Sequence, residues 1–268
     1  MDVIRRLSGG GAIYCDTENM QYTFITKKTG EDVDSSFKKF AKPVVNFLNS
    51  LGLNAEFTGR NDIQIDGAKV SGNAQYQNKE KILHHGTFLF KANLYNLTNS
   101  LKSRDIKFKG KAVQSVRSRV GFIGDMIDMD VETFMDKAID YIKDEYNITN
   151  TTILTEEEMK KIYEIRDSIF ATKNWNYGNG SLKKNRKAEK YSCGVVEIGI
   201  DVENEKIKDI SIEGDFFSEL GIDNLCSILK GVQCSKEAIE EALKDIEIDR
   251  YIKSMNKEVF IDDIIKLF

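Results

Sequence analysis

The sequence predicts an α+β (mixed α/β) protein: a sheet with flanking helices, followed by a smaller α+β module. Three observations predict it. Glycine and Asn-Asp punctuation is dense from Ser8 to Gly86, helical periodicity sets in at Asp130, and strand-like alternation returns at Gly194. The length of 268 residues suits one large domain, or one large domain with a small one. Apolar residues make up 41% and charged residues 31%, which excludes a disordered chain because the apolar share is enough to build a core.

The elements follow in order. Asn61 to Asp66 alternates polar and apolar residues, as a half-buried strand does. Asp66-Gly67 is a hairpin turn pair, Lys69 to Gln75 returns, and Ile82 to Phe90 adds a third antiparallel strand. One helix interrupts this region, with Phe37, Phe40, Val44, Phe47, Leu48 and Leu51 in a single apolar stripe. Pro43, the only proline, should kink that helix or mark a late start. Beyond Asp130, Phe134, Ala138, Ile139 and Ile142 share a helical face. Thr155 and Glu158 form a capping box ahead of Met159, Ile162 and Ile169. The polar, basic stretch 181–190 reads as a linker between a domain at 1–180 and a module at 191–268. That module opens with a hairpin, Gly194–Val202 and Lys206–Glu213, turning near Glu203-Asn204. Amphipathic segments near Phe216–Leu229, Lys236–Ile246 and Ile261–Phe268 complete it.

Composition narrows the partners. No apolar run approaches the roughly 20 residues that span a bilayer. The start, MDVIRRLSGGGA, lacks the apolar stretch of a secretory signal, so no membrane partner is expected. A net charge of −4 argues against nucleic acid, for which the basic run Lys183–Lys190 is the sole support. Cys15, Cys193, Cys226 and Cys234 lack metal-ligand spacing and read as reduced thiols in a cytoplasmic protein.

Four groups of residues are suited to chemistry. Arg5-Arg6-Leu7-Ser8-Gly9-Gly10-Gly11-Ala12 combines fixed positive charge with glycines that let main-chain amides approach an anion. Gly59-Arg60-Asn61-Asp62-Ile63 followed by Gly67-Ala68-Lys69-Val70-Ser71-Gly72-Asn73-Ala74 puts amide, carboxylate and ammonium groups on adjacent strands, fit for a ribose, a phosphate or hydrated magnesium. His84 and His85 are adjacent on a strand and must face opposite sides, so one packs inside and the other meets solvent or ligand. Ser115-Val116-Arg117-Ser118-Arg119 follows the basic run Lys107–Lys111 and suits a loop covering an adenylate. Each group alone is also the pattern of a solvated turn or loop.

Taken together, the order and spacing of Arg5–Asp16, Gly59–Ile63, Lys69–Ala74, His84–Thr87 and Ser115–Arg119 resemble the lipoate–protein ligase family over nearly the whole chain. The Asn-Asp-Ile and Gly-x-Lys arrangement is also similar to biotin–protein ligases. The resemblance implies the sheet that biotin ligases share with class II aminoacyl-tRNA synthetases, with a small accessory domain after it. It implies ATP-dependent activation of lipoate, or octanoate, to an acyl-adenylate. Transfer then goes to a lysine of lipoyl domains of 2-oxoacid dehydrogenase E2 subunits or of glycine-cleavage H protein. By resemblance, Lys69 is catalytic, and ATP or the adenylate meets Arg6, Gly11, Ala12, Ile13, Tyr14, Asn61, Asp62, Lys69, Ser115, Val116 and Arg117. Lipoate meets Ser8, Gly9, Gly10, Lys69, Gly72 and His85, and Asp62 is the candidate ligand for Mg2+.

Two positions depart from the family pattern: Cys15 stands where His is usual, and Glu18 where Gly is usual. Family members also carry a substantial segment ahead of the Arg-Arg motif, which here begins almost at Met1. The expectation is therefore a catalytic domain incomplete at its N-terminus, with an exposed sheet edge, an open pocket, weak or absent ligase activity, and a separate N-terminal chain as a candidate partner. Two further readings go with it. One is an octanoyl or lipoyl transferase of the same fold using a Cys15 thioester. The other is a non-catalytic half of a split ligase.

Overall fold

The computed structural model describes residues 2–59, 61–78, 80–101, 120–178 and 183–268. The chain forms two compact units, one of Ala12–Thr151 and one of Met1–Gly11 together with Thr152–Phe268. The expected span 1–180 is thus shared between both units.

In the unit of Ala12–Thr151, five strands make an antiparallel sheet in the order β1-β5-β4-β3-β2. They are β1 (Asn19–Lys27), β2 (Ala55–Thr58), β3 (Asp62–Ile65), β4 (Ala68–Gln77) and β5 (Lys81–Leu89). The turn between β3 and β4 is the expected one: Asp66 and Gly67 have φ of 48° and 82°, a conformation that glycine adopts without strain. Helix α1 (Val33–Ser50) starts at an Asp32 cap whose carboxylate accepts from the Ser35 amide. Pro43 lies inside this helix and does not mark its start, which falls ten residues earlier. The apolar stripe of α1 is buried: Val44, Phe47 and Leu48 share one core with Ile63, Ile65, Val70 and Phe88 of the sheet, and Phe40 stacks on Phe24. Short α2 (Leu94–Ser100) follows β5. Helix α3 (Val131–Glu145) adds Phe134, whose ring centroid is 5.2 Å from those of both Phe47 and Phe88. Ile139 does not join this face. It is exposed, because the buried stripe of α3 runs through Phe134 and Ala138.

In the other unit, α4 (Glu156–Ile165) carries the expected capping box, with Thr155 and Glu158 bonded reciprocally. Met159 and Ile162 lie on α4, whereas Ile169 falls in the π-helical turn Arg166–Phe170 that follows it. Helix α5 (Lys173–Tyr177) comes next. A three-stranded sheet runs β6-β7-β8, with β6 (Asn185–Tyr191), β7 (Gly194–Glu203) and β8 (Lys206–Gly214). The linker expected at 181–190 gives way to strand from Asn185. β6 is an edge strand held by its backbone ladder to β7, so its charged side chains can stay in solvent and no apolar alternation marks it. The β7–β8 turn falls at Asn204-Glu205, one residue beyond the expected place, with φ of 52° and 58°. Helices α6 (Asp223–Leu229), α7 (Lys236–Leu243), α8 (Ile248–Tyr251) and α9 (Lys257–Ile265) close a core of Ile198, Ile200, Ile207, Leu225, Leu229, Ile239, Phe260 and Ile264. Among the described residues no helix is long and apolar enough to cross a membrane.

Candidate active site

Successive side chains on a strand face opposite ways, so register assigns each residue a side. Across β4 and β5, Gln75 pairs with His84 and Ala74 with His85. Across β1 and β5, Phe24 pairs with His84 and Thr23 with His85. His84 therefore turns into the α1 side, where its ring stacks on Phe40 at 5.0 Å and meets Phe37 edge-on at 5.4 Å. Burial, with the neighbouring His85 charge adding to it, brings this imidazole down to about 3, so it is neutral. His85 lies on the opposite face. The sequence expectation of one inward and one outward histidine holds.

That outward face carries a cluster. Asp62 pairs with Gly72 across β3 and β4, but between Ile63 and Gln64 the register slips. Val70 is the extra residue of this bulge, and it sets Lys69 on the same side as Gly72 despite their odd spacing. Lys69 Nζ reaches 2.6 Å from Asp62 Oδ1, with the two side chains 40% and 30% exposed. A Cβ on Gly72 would lie 3.3 Å from Lys69 Cε and Nζ, so the glycine leaves room for the amine. The Gly72 amide donates to Thr87 Oγ1 at 3.3 Å. Val120 bridges to Lys69, and the Gly121 amide donates to the Lys69 carbonyl at 2.8 Å.

Asn61, one residue before Asp62, has its amide committed: Nδ2 donates to the Asn73 carbonyl at 2.8 Å. For magnesium, Asp62 Oδ1 is the relevant atom. It is buried, and the charge it faces is the Lys69 ammonium 2.6 Å away. Among the described residues no group of three or more His, Cys, Asp and Glu gathers as a metal cage. One carboxylate completed by phosphate and water suits magnesium, which usually keeps several waters.

The glycine-rich segment belongs to the other unit and is built there. Arg6 folds over it: Nε reaches Ser8 Oγ at 3.2 Å, and a terminal nitrogen donates to the Gly9 and Gly11 carbonyls at 2.7 and 2.8 Å. Gly10 has φ of 96°. A Cβ on Gly9 would overlap the Phe216 carbonyl oxygen, so this position tolerates no side chain. Arg5 is gripped at both ends of its peptide, its amide donating to Asn176 Oδ1 and its carbonyl accepting from Trp175 Nε1, each at 2.8 Å. Ala12, Ile13 and Tyr14 begin the sheet-bearing unit, with Ile13 exposed. Cys15 is exposed and accepts from Gln21 Nε2 at 3.2 Å. Ser115, Val116 and Arg117 lie outside the described residues.

The structure thus brings Asp62, Lys69 and Gly72 together and sets His85 on the same face. It places Arg6, Ser8, Gly9, Gly10 and Gly11 in one loop. Sequence reasoning missed Tyr22 and Gln75 as parts of the site region, and it gave no role to Asn73 and Thr87, which lie in the motifs it singled out. The one available signal was Gly86, a residue without a side chain in the middle of a strand.

Both parts of the chain match known protein families. Residues 1–143 match the family model for the lipoyl protein ligase A/B catalytic domain, and residues 183–264 match that for the bacterial lipoate protein ligase C-terminus. The chain belongs to the lipoate–protein ligase family. It is 35% identical over 264 residues to lipoate-protein ligase LplJ of Bacillus subtilis, covering 97% of this chain and 80% of that protein. To lipoate–protein ligase 1 of Staphylococcus aureus it is 37% identical over 263 residues, with the same coverages. Among solved structures, LipL1 of P. falciparum in complex with lipoate matches with a TM-score of 0.69 at 26% identity, over 98% of this chain and 75% of that one. The bi-partite lipoate protein ligase of Thermoplasma acidophilum, studied with its E2 lipoyl domain, matches with a TM-score of 0.61 at 30% identity, over 66% and 70% of the two chains. Lipoate-protein ligase A bound with ATP matches with a TM-score of 0.56 at 27% identity, over 66% and 72%.

Proposed function

We propose that this protein is an ATP-dependent lipoate–protein ligase whose reacting groups meet at Lys69. A carboxylate oxygen of lipoate or octanoate attacks the α-phosphorus of ATP. The bond from that phosphorus to the bridging oxygen breaks, and pyrophosphate leaves. Lys69 offsets the repulsion between the two anions, an electrostatic contribution that is large where charge develops. It later polarises the acyl-phosphate carbonyl while the amine of the acceptor lysine attacks. The carbon–oxygen bond then breaks, AMP leaves and the attacking amine loses its proton.

Arg6, Gly11, Ala12, Ile13, Tyr14 and Asn61 serve the nucleotide in this reading, and Ser8, Gly9, Gly10, Gly72 and His85 the acyl group. When bound beside Asp62, Mg2+ would neutralise phosphate charge. Ser115, Val116 and Arg117, which lie outside the described residues, serve the adenylate in the same reading. The acceptors are lipoyl domains and the glycine-cleavage H protein, and the setting is the cytoplasm. The observation that carries the reading is the Lys69 amine held over Gly72 and against Asp62 on the outward face of the sheet. Lipoate-dependent exchange of labelled pyrophosphate into ATP, followed by lipoylation of a purified lipoyl domain, tests it. Exchange without lipoate, or none with it, would overturn it.

A further inference from the structure

One row of residues crosses the sheet directly behind the Lys69–Asp62 pair. Tyr22 of β1 pairs with Gly86 of β5, and Gly86 pairs with Asn73 of β4. The central residue has no side chain, and Tyr22 Oη reaches over it to donate to Asn73 Oδ1 at 2.5 Å. A Cβ on Gly86 would overlap both the Tyr22 hydroxyl and Asn73 Oδ1. His84 Nε2 lies 3.1 Å from the same oxygen, and its Nδ1 lies 2.9 Å from Gln75 Nε2. An amide nitrogen can only donate, so the neutral ring accepts at Nδ1 and donates at Nε2. Asn73 Oδ1 thus receives two hydrogen bonds, and Gln75 is anchored in turn on Ser36 at 3.1 Å.

The other end of Asn73 grips the catalytic strand. Its Nδ2 and its backbone amide both donate to the Asn61 carbonyl, at 3.1 and 2.8 Å, and Asn61 Nδ2 donates back to the Asn73 carbonyl at 2.8 Å. Asp62 is the next residue. Ser36, Asn73, Gln75 and His84 are all buried, on a side of the sheet otherwise filled by Phe24, Phe37 and Phe40. Buried polar groups cost stability relative to an apolar filling of the same shape, so a chain of them that ends at one loop calls for a function at that loop.

We propose that Asn73, fixed by Tyr22 and His84 through the gap at Gly86, is a positioning residue that sets the Asn61-Asp62 peptide and so the approach of Asp62 to Lys69. The role rests on the ligase reading for its catalytic effect, but not for its structural one. Two measurements separate these. Hydrogen exchange across residues 57–66 is expected to accelerate at least tenfold in Asn73→Ala and severalfold in Tyr22→Phe, with the residue 131–145 helix unchanged. Unaltered exchange there in both variants overturns the proposal, whatever the enzyme does.

In pyrophosphate exchange, Asn73→Ala is expected to lower kcat tenfold or more while the KM for lipoate stays within twofold. In a Lys69→Met background the same substitution should cost less than twofold, because a positioning residue acts through the group it positions. Additive losses, or a folded Asn73→Ala protein with kcat within twofold of wild type, overturn it. Tyr22→Phe replaces Asn73→Ala in both backgrounds if the latter fails to fold. A wild-type protein with no exchange at all would count against the ligase reading, leaving the hydrogen-exchange result to judge the positioning role.

Discussion

Lys69 and Asp62 meet at 2.6 Å on adjacent strands only because Val70 bulges out of the ladder between them. Without the extra residue, Lys69 and Gly72 would face opposite sides of β4, and the amine would have no glycine to lie over. The bulge also sends Val70 itself into the core, where it is fully buried. One irregularity thus serves packing on one side of the sheet and chemistry on the other.

Replacing Lys69 by Met should lower lipoate-dependent pyrophosphate exchange by about 100- to 1,000-fold, the usual loss when one stabiliser of developing charge is removed. Stability should hardly change, since a half-exposed ion pair contributes about 0–1 kcal/mol. Arginine should not restore activity, because its planar fork does not present the point charge of an ammonium. Exchange kinetics and a thermal melt of the same preparations check both parts. A Lys69→Met protein that keeps its rate would refute the assignment.

Gly9 and Gly11 look equivalent in the sequence but differ in the fold. A methyl group at Gly9 runs into the Phe216 carbonyl, whereas at Gly11 nothing lies within 4 Å. Gly9→Ala should therefore destabilise the protein by about 1–3 kcal/mol, and Gly11→Ala should stay within about 0.5 kcal/mol of wild type. Urea unfolding of the two variants makes the comparison, and equal midpoints would contradict it.

Much of this was legible in the sequence because it is local. The Asp66-Gly67 turn, the Thr155 capping box and the α1 stripe are each fixed by residues within one turn or one strand of each other. That His84 and His85 face opposite sides follows from strand alternation alone, whereas which of them turns outward is settled by the pairing register. What escaped was non-local. β6 carries charges in place of alternation, and its pairing is visible only once β7 lies beside it. The link from Tyr22 to Asn73 spans 51 positions and depends on a third strand contributing no side chain between them. The bulge at Val70 leaves no composition mark, so the sequence alone did not explain why Lys69 and Gly72 share a side.

Cys15 separates the ligase route from a thioester route. The thiol is exposed and accepts a hydrogen bond from Gln21, and a ligase step needs no covalent bond to it. Cys15→Ser should keep both pyrophosphate exchange and transfer to a lipoyl domain within about threefold of wild type, since removing a group outside the reacting set leaves transition-state binding intact. Mass spectrometry of the quenched enzyme should find no acyl group on this cysteine. Loss of transfer with intact exchange would instead favour the thioester route.

His84 gives the protein a pH dependence whose sign can be worked out. The folded imidazole titrates near about 3 because burial disfavours its charged form, against 6.5 when the chain is unfolded. Between those values the unfolded chain holds a proton that the folded protein does not. Stability therefore rises with pH across this window: the contribution is complete above 6.5 and is lost as pH falls toward 3. The slope approaches about 1.4 kcal/mol per pH unit for one proton. His84→Gln has no such proton to exclude, and its amide can still donate to Asn73 Oδ1. From pH 7 to pH 5, wild type should lose about 2 kcal/mol more than His84→Gln in urea unfolding, by the same slope. Other titrating groups are common to both proteins and cancel in the difference. Parallel stability curves for the two would mean that this histidine is not held neutral in the folded protein, and that the acceptor assigned to its Nδ1 is misplaced.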